Sequence, residues 1–179
     1  MLDTQDRLRF EMLVLPHLDA AYNLARWLVR SAADAEDIAQ EALLRSYRFF
    51  PGFHGGDVKV WLLQIVRNVS YTWLDRKRRS DNMLEFDEEL HAQGSPSPEA
   101  LSIAAQDRER FEQALVSLPS RAREVIVLRE LEGCSYKEIA AITSIPIGTV
   151  MSTLSRARRQ LQTALANPAG KEVRHGMRS

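Results

Sequence analysis

Apolar positions recur along most of this chain at alternating steps of three and four, the spacing that lines up one face of an α-helix. In residues 8–30 this rule places Phe10, Leu13, Val14, Leu18, Ala21, Tyr22, Ala25 and Leu28 on or near one side. Pro16 falls inside the run, where it bends the helix or starts a new one. Residues 34–50 repeat the pattern, with Ile38, Ala42 and Phe49 aligned inward and Ala35 beside them. Asp34 is expected to cap this helix, and Glu36 and Asp37 in its first turn suit the helix dipole. Asp37, Gln40, Glu41, Leu44 and Arg48 collect on another side. A proline and three glycines in residues 51–57, PGFHGGD, then force a loop.

A longer helix follows from about Val58 to Arg79. Val58, Trp61, Leu62, Ile65, Val69 and Thr72 face one way, while Gln64, Arg67, Asn68 and Tyr71 project from another. Trp73 lies on the flank, and Arg76, Lys77, Arg78 and Arg79 close the helix. Residues 80–98 break the pattern with acidic side chains and a Gly-Ser-Pro-Ser-Pro stretch, which reads as a linker with room for a short contact at Met83, Leu84, Phe86 and Leu90. Helical patterning resumes from Glu99 to Leu118. Pro119 then opens another helix, with Ala122, Val125, Ile126, Leu128 and Leu131 on its apolar face, ended by Glu132-Gly133.

The stretch Ser135 to Leu161 holds a helix pair. Ser135 and Glu138 have capping-box spacing, and Thr143-Ser144-Ile145-Pro146 stops the first helix. From Ile147 the apolar positions 147, 150, 154, 157 and 161 make a single stripe. Gly148, Thr149, Ser152, Ser155, Arg156 and Arg159 share the opposite face. A small, polar and basic face on the second of two short helices suits entry into a major groove. The same spacing also fits an ordinary helical hairpin. The fold class expected from these patterns is all-α: two small helical domains joined by a linker. An N-terminal domain spans 1–80, an acidic flexible linker 81–98, and a C-terminal domain with the helix-turn-helix 99–166. The tail 167–179 has no periodicity and is expected to be disordered.

Composition narrows the chemistry. With 45% apolar and 27% charged residues, the chain has the balance of a soluble globular protein. Its formal net charge is zero, which argues against a general polyanion binder, but the charge is unevenly placed. It sums to +2 over residues 1–80, −5 over 81–98 and +3 over 99–179. Cationic character is thus local, as a site for nucleic acid requires. A single cysteine, Cys134, excludes an internal disulfide and fits a reducing cytoplasm. Asp3, Asp6, Arg7, Arg9 and Glu11 rule out an ordinary signal peptide, and the longest uncharged run, 139–155, contains Pro146 and Gly148, so no membrane insertion is expected. His17, His54, His91 and His175 show no ligand spacing, so neither metal nor cofactor is expected. No nucleophile motif, phosphate-cradling loop or His/Cys/carboxylate constellation points to an enzyme or a small-molecule substrate.

Four segments, in order, carry a resemblance. DAEDIAQEALLRSYRFF (34–50), WLLQIVRNVSYTWLDRKRR (61–79), LPSRAREVIVLRELEGCSYKEIA (118–140) and IPIGTVMSTLSRARRQL (145–161) are similar to bacterial sigma factors, specifically the small extracytoplasmic-function (ECF) group. The match runs from about Leu8 to Leu165, and only the short linker stands where larger sigma factors have a middle domain. The resemblance implies a non-enzymatic partner of core RNA polymerase and promoter DNA, commonly restrained by an anti-sigma factor. It implies polymerase docking through Asp37, Gln40, Glu41 and Leu44. The 51–57 loop and the helix after it would capture and open the −10 element through Trp61, Arg67, Asn68, Tyr71, Trp73, Arg76, Lys77, Arg78 and Arg79. Trp61 suits the core better than a stacking platform. Thr149, Ser152, Ser155, Arg156 and Arg159 would read the −35 element, and the surface around Val127 and Leu131 would receive the polymerase flap tip.

Three features depart from the family's usual pattern. Met151 stands where lysine or arginine is usual, and Thr153 where arginine is usual. Two lost cations should flatten the salt dependence of binding by about one unit of slope per contact. The loop Phe53–Asp57 is one residue shorter and lacks the arginine after its phenylalanine. A second reading of the same residues is a stand-alone helix-turn-helix regulator, which predicts a dimer on a palindromic site.

Overall fold

Every element of the computed structural model, which describes residues 4–83 and 103–166, is helical. The all-α class is therefore what the structure shows. The first run divides at Pro16 into α1 (Thr4–Val14), a 3-10 turn (Leu15–His17) and α2 (Leu18–Val29). Ser31, rather than Asp34, caps α3 (Ala32–Phe49), its hydroxyl accepting from the Asp34 amide at 3.3 Å. A 3-10 turn at Phe50–Gly52 and the glycine loop lead into α4 (Val58–Met83). Asp57 caps α4 by accepting from the Val60 amide at 3.0 Å. Because α4 continues to Met83, the first residues assigned to the linker are helical.

The second half comprises α5 (Ile103–Ser117), α6 (Ser120–Ile126), α7 (Tyr136–Thr143) and α8 (Ile147–Ala166). α6 runs on into a π-helical turn, Val127–Leu131. The wide turn is closed by the Cys134 amide donating to the Leu128 carbonyl at 2.9 Å, with Gly133 at a φ of 69°. The expected linker contact at Leu84, Phe86 and Leu90, the helix start at Glu99 and the tail 167–179 lie outside the described residues.

Alanines at positions 20, 21, 25, 35 and 42 let α2, α3 and α4 approach closely around Leu24, Ile38, Leu62, Leu63 and Val66. Phe10 meets Tyr47 and Phe50 edge to face, each with ring centres 5.2 Å apart. Phe50 is fully buried, whereas Phe49, expected to point inward, is 59% exposed. The helix ends at Phe49, and the 3-10 turn swings the next ring into the core.

The two halves are not held apart as separate bodies. α4 packs on α7 and α2 on α6, and one hydrophobic core runs through both. This explains the second half's main departure from expectation. Arg123 through Leu128 are six consecutive buried residues, because α6 is covered by α8 on one side and α2 on the other. Only the start of α6, Ser120 and Arg121, remains exposed, so the apolar and polar positions after it do not alternate. Leu131, expected on the apolar side, remains 43% exposed.

Cys134 is buried, and desolvation pushes its thiol up to about 11. At pH 8 only about a thousandth of it is thiolate. Its reaction with a disulfide reagent is therefore expected to be slow in the native protein and to become fast on unfolding in urea. Rapid stoichiometric labelling without denaturant would contradict this burial.

Candidate nucleic-acid and partner interfaces

The helix-turn-helix forms as its sequence requires. The Ser135 hydroxyl accepts from the Glu138 amide at 3.2 Å while Glu138 accepts from the Ser135 amide at 2.6 Å. This reciprocal cap stabilises α7 by about 1 kcal/mol. Ser144 closes α7 in the left-handed region, with φ 55°. The Pro146 carbonyl then accepts from the amides of Thr149 and Val150, which starts α8.

On α8, Val150, Leu154 and Ala157 are buried and Leu161 half-buried, but Ile147 is 49% exposed, so the stripe begins a turn later than expected. Gly148, Ser152, Ser155, Arg156 and Arg159 are exposed, and Thr149 is half-buried. Arg156 and Arg159 lie along the helix, each donating to a carbonyl four residues back at 3.4 Å. Arg158 is held elsewhere, donating to Glu130 at 2.6 and 2.9 Å. Thr153 is buried, with its neighbour Leu154, against the core. It occupies a packing position, so the expected loss of a phosphate contact there is withdrawn. Met151 is 53% exposed and keeps its place on the outer face.

On α3, Asp37, Gln40, Glu41 and Leu44 are all solvent-exposed. Glu41 pairs with Arg45 one turn on, at 2.6 Å. Leu44 borders a shallow cavity of about 610 Å³ with Arg48, Phe49 and Pro51, so this acidic face has an apolar centre. Val127, expected to meet a polymerase element, is fully buried.

The face of α4 is divided. At its start a cavity of about 530 Å³ lies between the loop and the helix, bordered by Phe53, His54, Gly55, Trp61 and Gln64. Gly55 and Gly56, at φ 110° and 101°, adopt backbone that other residues rarely reach, which opens the loop around this space. Trp61 packs on Phe53, with centres 4.9 Å apart, and near Phe50, so it belongs to an aromatic wall. Asn68 is exposed. Trp73 lies under the Lys77 ammonium at 4.7 Å, and Lys77 approaches Asp34 at 3.9 Å. Arg76 and Arg79 are exposed, and Arg78 sits 4.0 Å from Asp75.

Arg67 and Tyr71 are not free. The Arg67 Nε donates to Glu124 Oε1 at 2.6 Å, and the Tyr71 hydroxyl donates to Oε2 at 3.1 Å. Arg67 also covers the Tyr71 ring at 4.6 Å. Burial, and then the Glu124 charge, push the Tyr71 phenol up to about 12, so it remains a donor. Desolvation raises the Glu124 carboxyl, opposed by Arg67 and by the hydrogen bonds it receives. The short Arg67 contact favours the ion pair over a neutral acid. Nothing in the linear pattern marked Glu124 as a partner of α4, since it lies 57 residues away. The apolar run Val125–Leu128 beside it was the available sign that its surroundings are dry.

Comparison with known proteins accounts for both halves. Residues 13–80 match the family model of sigma-70 region 2, and residues 108–161 match that of sigma-70 region 4. The RNA polymerase sigma-H factor of Pseudomonas aeruginosa is 34% identical over 89% of this chain and 88% of its own. The ECF sigma-E factor of Escherichia coli is 33% identical, covering 87% and 86%. The ECF sigma factor SigE of Mycolicibacterium smegmatis is 34% identical over 88% of this chain, which spans 62% of that protein's length. Among solved structures, the sigma factor RpoE of Bartonella quintana, in complex with the anti-sigma factor NepR, superposes with a TM-score of 0.75. It is 29% identical, and the match covers 90% of this chain and 99% of that one. CnrH, in complex with the cytosolic domain of CnrY, shares the fold at a TM-score of 0.65. With both sigma regions in order on one helical chain, and relatives matched over most of their length, this protein belongs to the ECF sigma factors, non-enzymatic factors of transcription initiation.

Proposed function

We propose that this chain binds core RNA polymerase in the cytoplasm through the exposed α3 face of Asp37, Gln40, Glu41 and Leu44, and directs it to a bipartite promoter. The cleft between the glycine loop and α4 takes an extruded −10 base, with Asn68 beside it and the Arg76–Arg79 end on the backbone. Binding the extruded base offsets part of an unstacking cost of about a few kcal/mol. The exposed face of α8 reads the −35 element through Thr149, Ser152, Ser155, Arg156 and Arg159. Two weak modules tethered on one polymerase gain effective concentration, which lets a chain of zero net charge act at specific sites. By analogy with the Bartonella neighbour, an anti-sigma factor restrains it. No described helix is long and apolar enough to cross a membrane.

The observation that carries this reading is the match of both sigma regions, in order, within one chain. Run-off transcription with core polymerase on a genomic fragment library tests it. Discrete start sites that need both proteins are expected, whereas avid duplex binding by the free chain together with inert polymerase would point to a stand-alone regulator. Arg156→Ala is expected to reduce −35-dependent transcription about tenfold, for a base contact worth about 1–3 kcal/mol. A pre-melted −10 template should remain usable. Equal loss on both templates would remove α8 from −35 reading.

A further inference from the structure

The outward face of α8 is not uniformly polar. Its first two turns present Ile147, 49% exposed, and Met151, 53% exposed, four residues apart on one side of the helix. Gly148, Ser152 and Ser155 are exposed beside them, while Val150, Leu154 and Ala157 are buried on the opposite side. Turning Ile147 and Met151 inward would bring Val150 and Leu154 out, so the core cannot take both sets. A side chain at Gly148 would meet no neighbouring atom within 4 Å, so the helix is thin at this point for no reason of internal packing.

The same two turns lack the groups that pair with a base edge through two hydrogen bonds. From Ile147 to Ser155 the sequence IGTVMSTLS holds no arginine, lysine, asparagine or glutamine. The Ser152 hydroxyl already donates to the Thr149 carbonyl at 3.2 Å. Cations begin only at Arg156. Yet the N-terminal residues of a recognition helix are the ones that meet base edges. What this helix brings to them is apolar surface. The apolar group on the major-groove edge of the bases is the C5 methyl of thymine. Methionine, unbranched and polarizable, adapts its shape to such a contact.

We propose that Ile147 and Met151 are specificity-determining residues that read thymine methyl groups in the −35 element, with Arg156 and Arg159 supplying the polar contacts farther along α8. This rests on the −35 role proposed above and names the base that the first two turns select. Side chains four apart on a helix have Cβ atoms about 5–6 Å apart. That is between one and two base-pair steps of about 3.4 Å. The thymines read by Ile147 and Met151 therefore lie within about two base pairs of each other.

Deoxyuridine, which lacks only the methyl group of thymidine, tests this. Run-off transcription by core polymerase with the full chain is measured on a promoter from the genomic fragment library. Its −35 thymines are replaced by uracil one at a time, on either strand. Two neighbouring replacements are expected to lower the transcript about fourfold each, the worth of one buried methyl group. Met151→Ala should make thymine and uracil templates equal at one of these positions, and Ile147→Ala at the other. Both side chains are exposed, so neither change should disturb folding. Met151→Arg should also lose the uracil response at its position and steepen the salt dependence of promoter binding by about one unit of slope. A flat uracil scan on an active promoter would overturn methyl reading. So would a uracil response of undiminished size in both alanine variants, or an unchanged salt slope in Met151→Arg. If the native chain gives no transcript that depends on the −35 segment of the all-thymine promoter, the −35 role of α8 itself falls, and methyl reading with it.

Discussion

Arg67→Ala is expected to destabilise the folded chain by about 3–5 kcal/mol, read as a lowered urea midpoint, because it strands the Glu124 carboxylate in a dry site. Glu124 is 1% exposed on its side chain and Arg67 20%, so solvent screens this pair little. Tyr71 alone, one neutral donor at 3.1 Å, cannot replace the charge-assisted bond at 2.6 Å. The same reasoning predicts that the triple change Arg67→Met, Tyr71→Phe and Glu124→Leu lies close to the native stability, since apolar groups of similar volume avoid the desolvation costs and leave no donor without its acceptor. A loss under about 1 kcal/mol for Arg67→Ala would mean that the carboxylate escapes to water by parting of the halves. In that case the unfolding slope should fall as well, because less surface remains to be exposed.

Asn68→Ala is expected to lower open-complex formation by about 10- to 100-fold, the worth of a good base-edge contact at about 1–3 kcal/mol. Asn68 is exposed on α4, so its removal leaves no buried group unsatisfied and should not disturb folding. Core binding, which is assigned to α3, should be unchanged. Permanganate footprinting and a core-affinity measurement on the same preparation separate the two effects. Parallel loss of both would refute the role given to Asn68.

Local chemistry made much of this legible in advance. The capping box at Ser135, the stop at Pro146 and the stripe at Val150, Leu154 and Ala157 follow from short-range rules, and each forms. Ser31 takes the cap of α3 although an acidic residue three places on offers a competing one. Phe49 turns outward and Phe50 fills the core because helical phase predicts a side only while the helix continues, and the 3-10 turn ends it there. Thr153 was misplaced for a different reason. A family comparison says which residue type is usual, whereas burial depends on what packs against it. The contacts of Arg123 with Trp27 and of Glu132 with Lys59 and Asn23 have no local sign, and that of Glu124 with α4 has only the apolar run Val125–Leu128 beside it. They arise where two halves meet, and each half alone would place these charges in water.

The length of α4 has a metric consequence. From Trp61 at the cleft to Arg79 at the basic end is about 27 Å of continuous helix, at about 1.5 Å per residue. That equals about eight base pairs of duplex rise. Cleft and cations therefore share a single rigid gauge, and their angular phase is set by residue count. One alanine inserted midway would rotate the basic end by about 100° relative to the cleft. It would leave the composition of either part untouched and take them out of phase on the same strand.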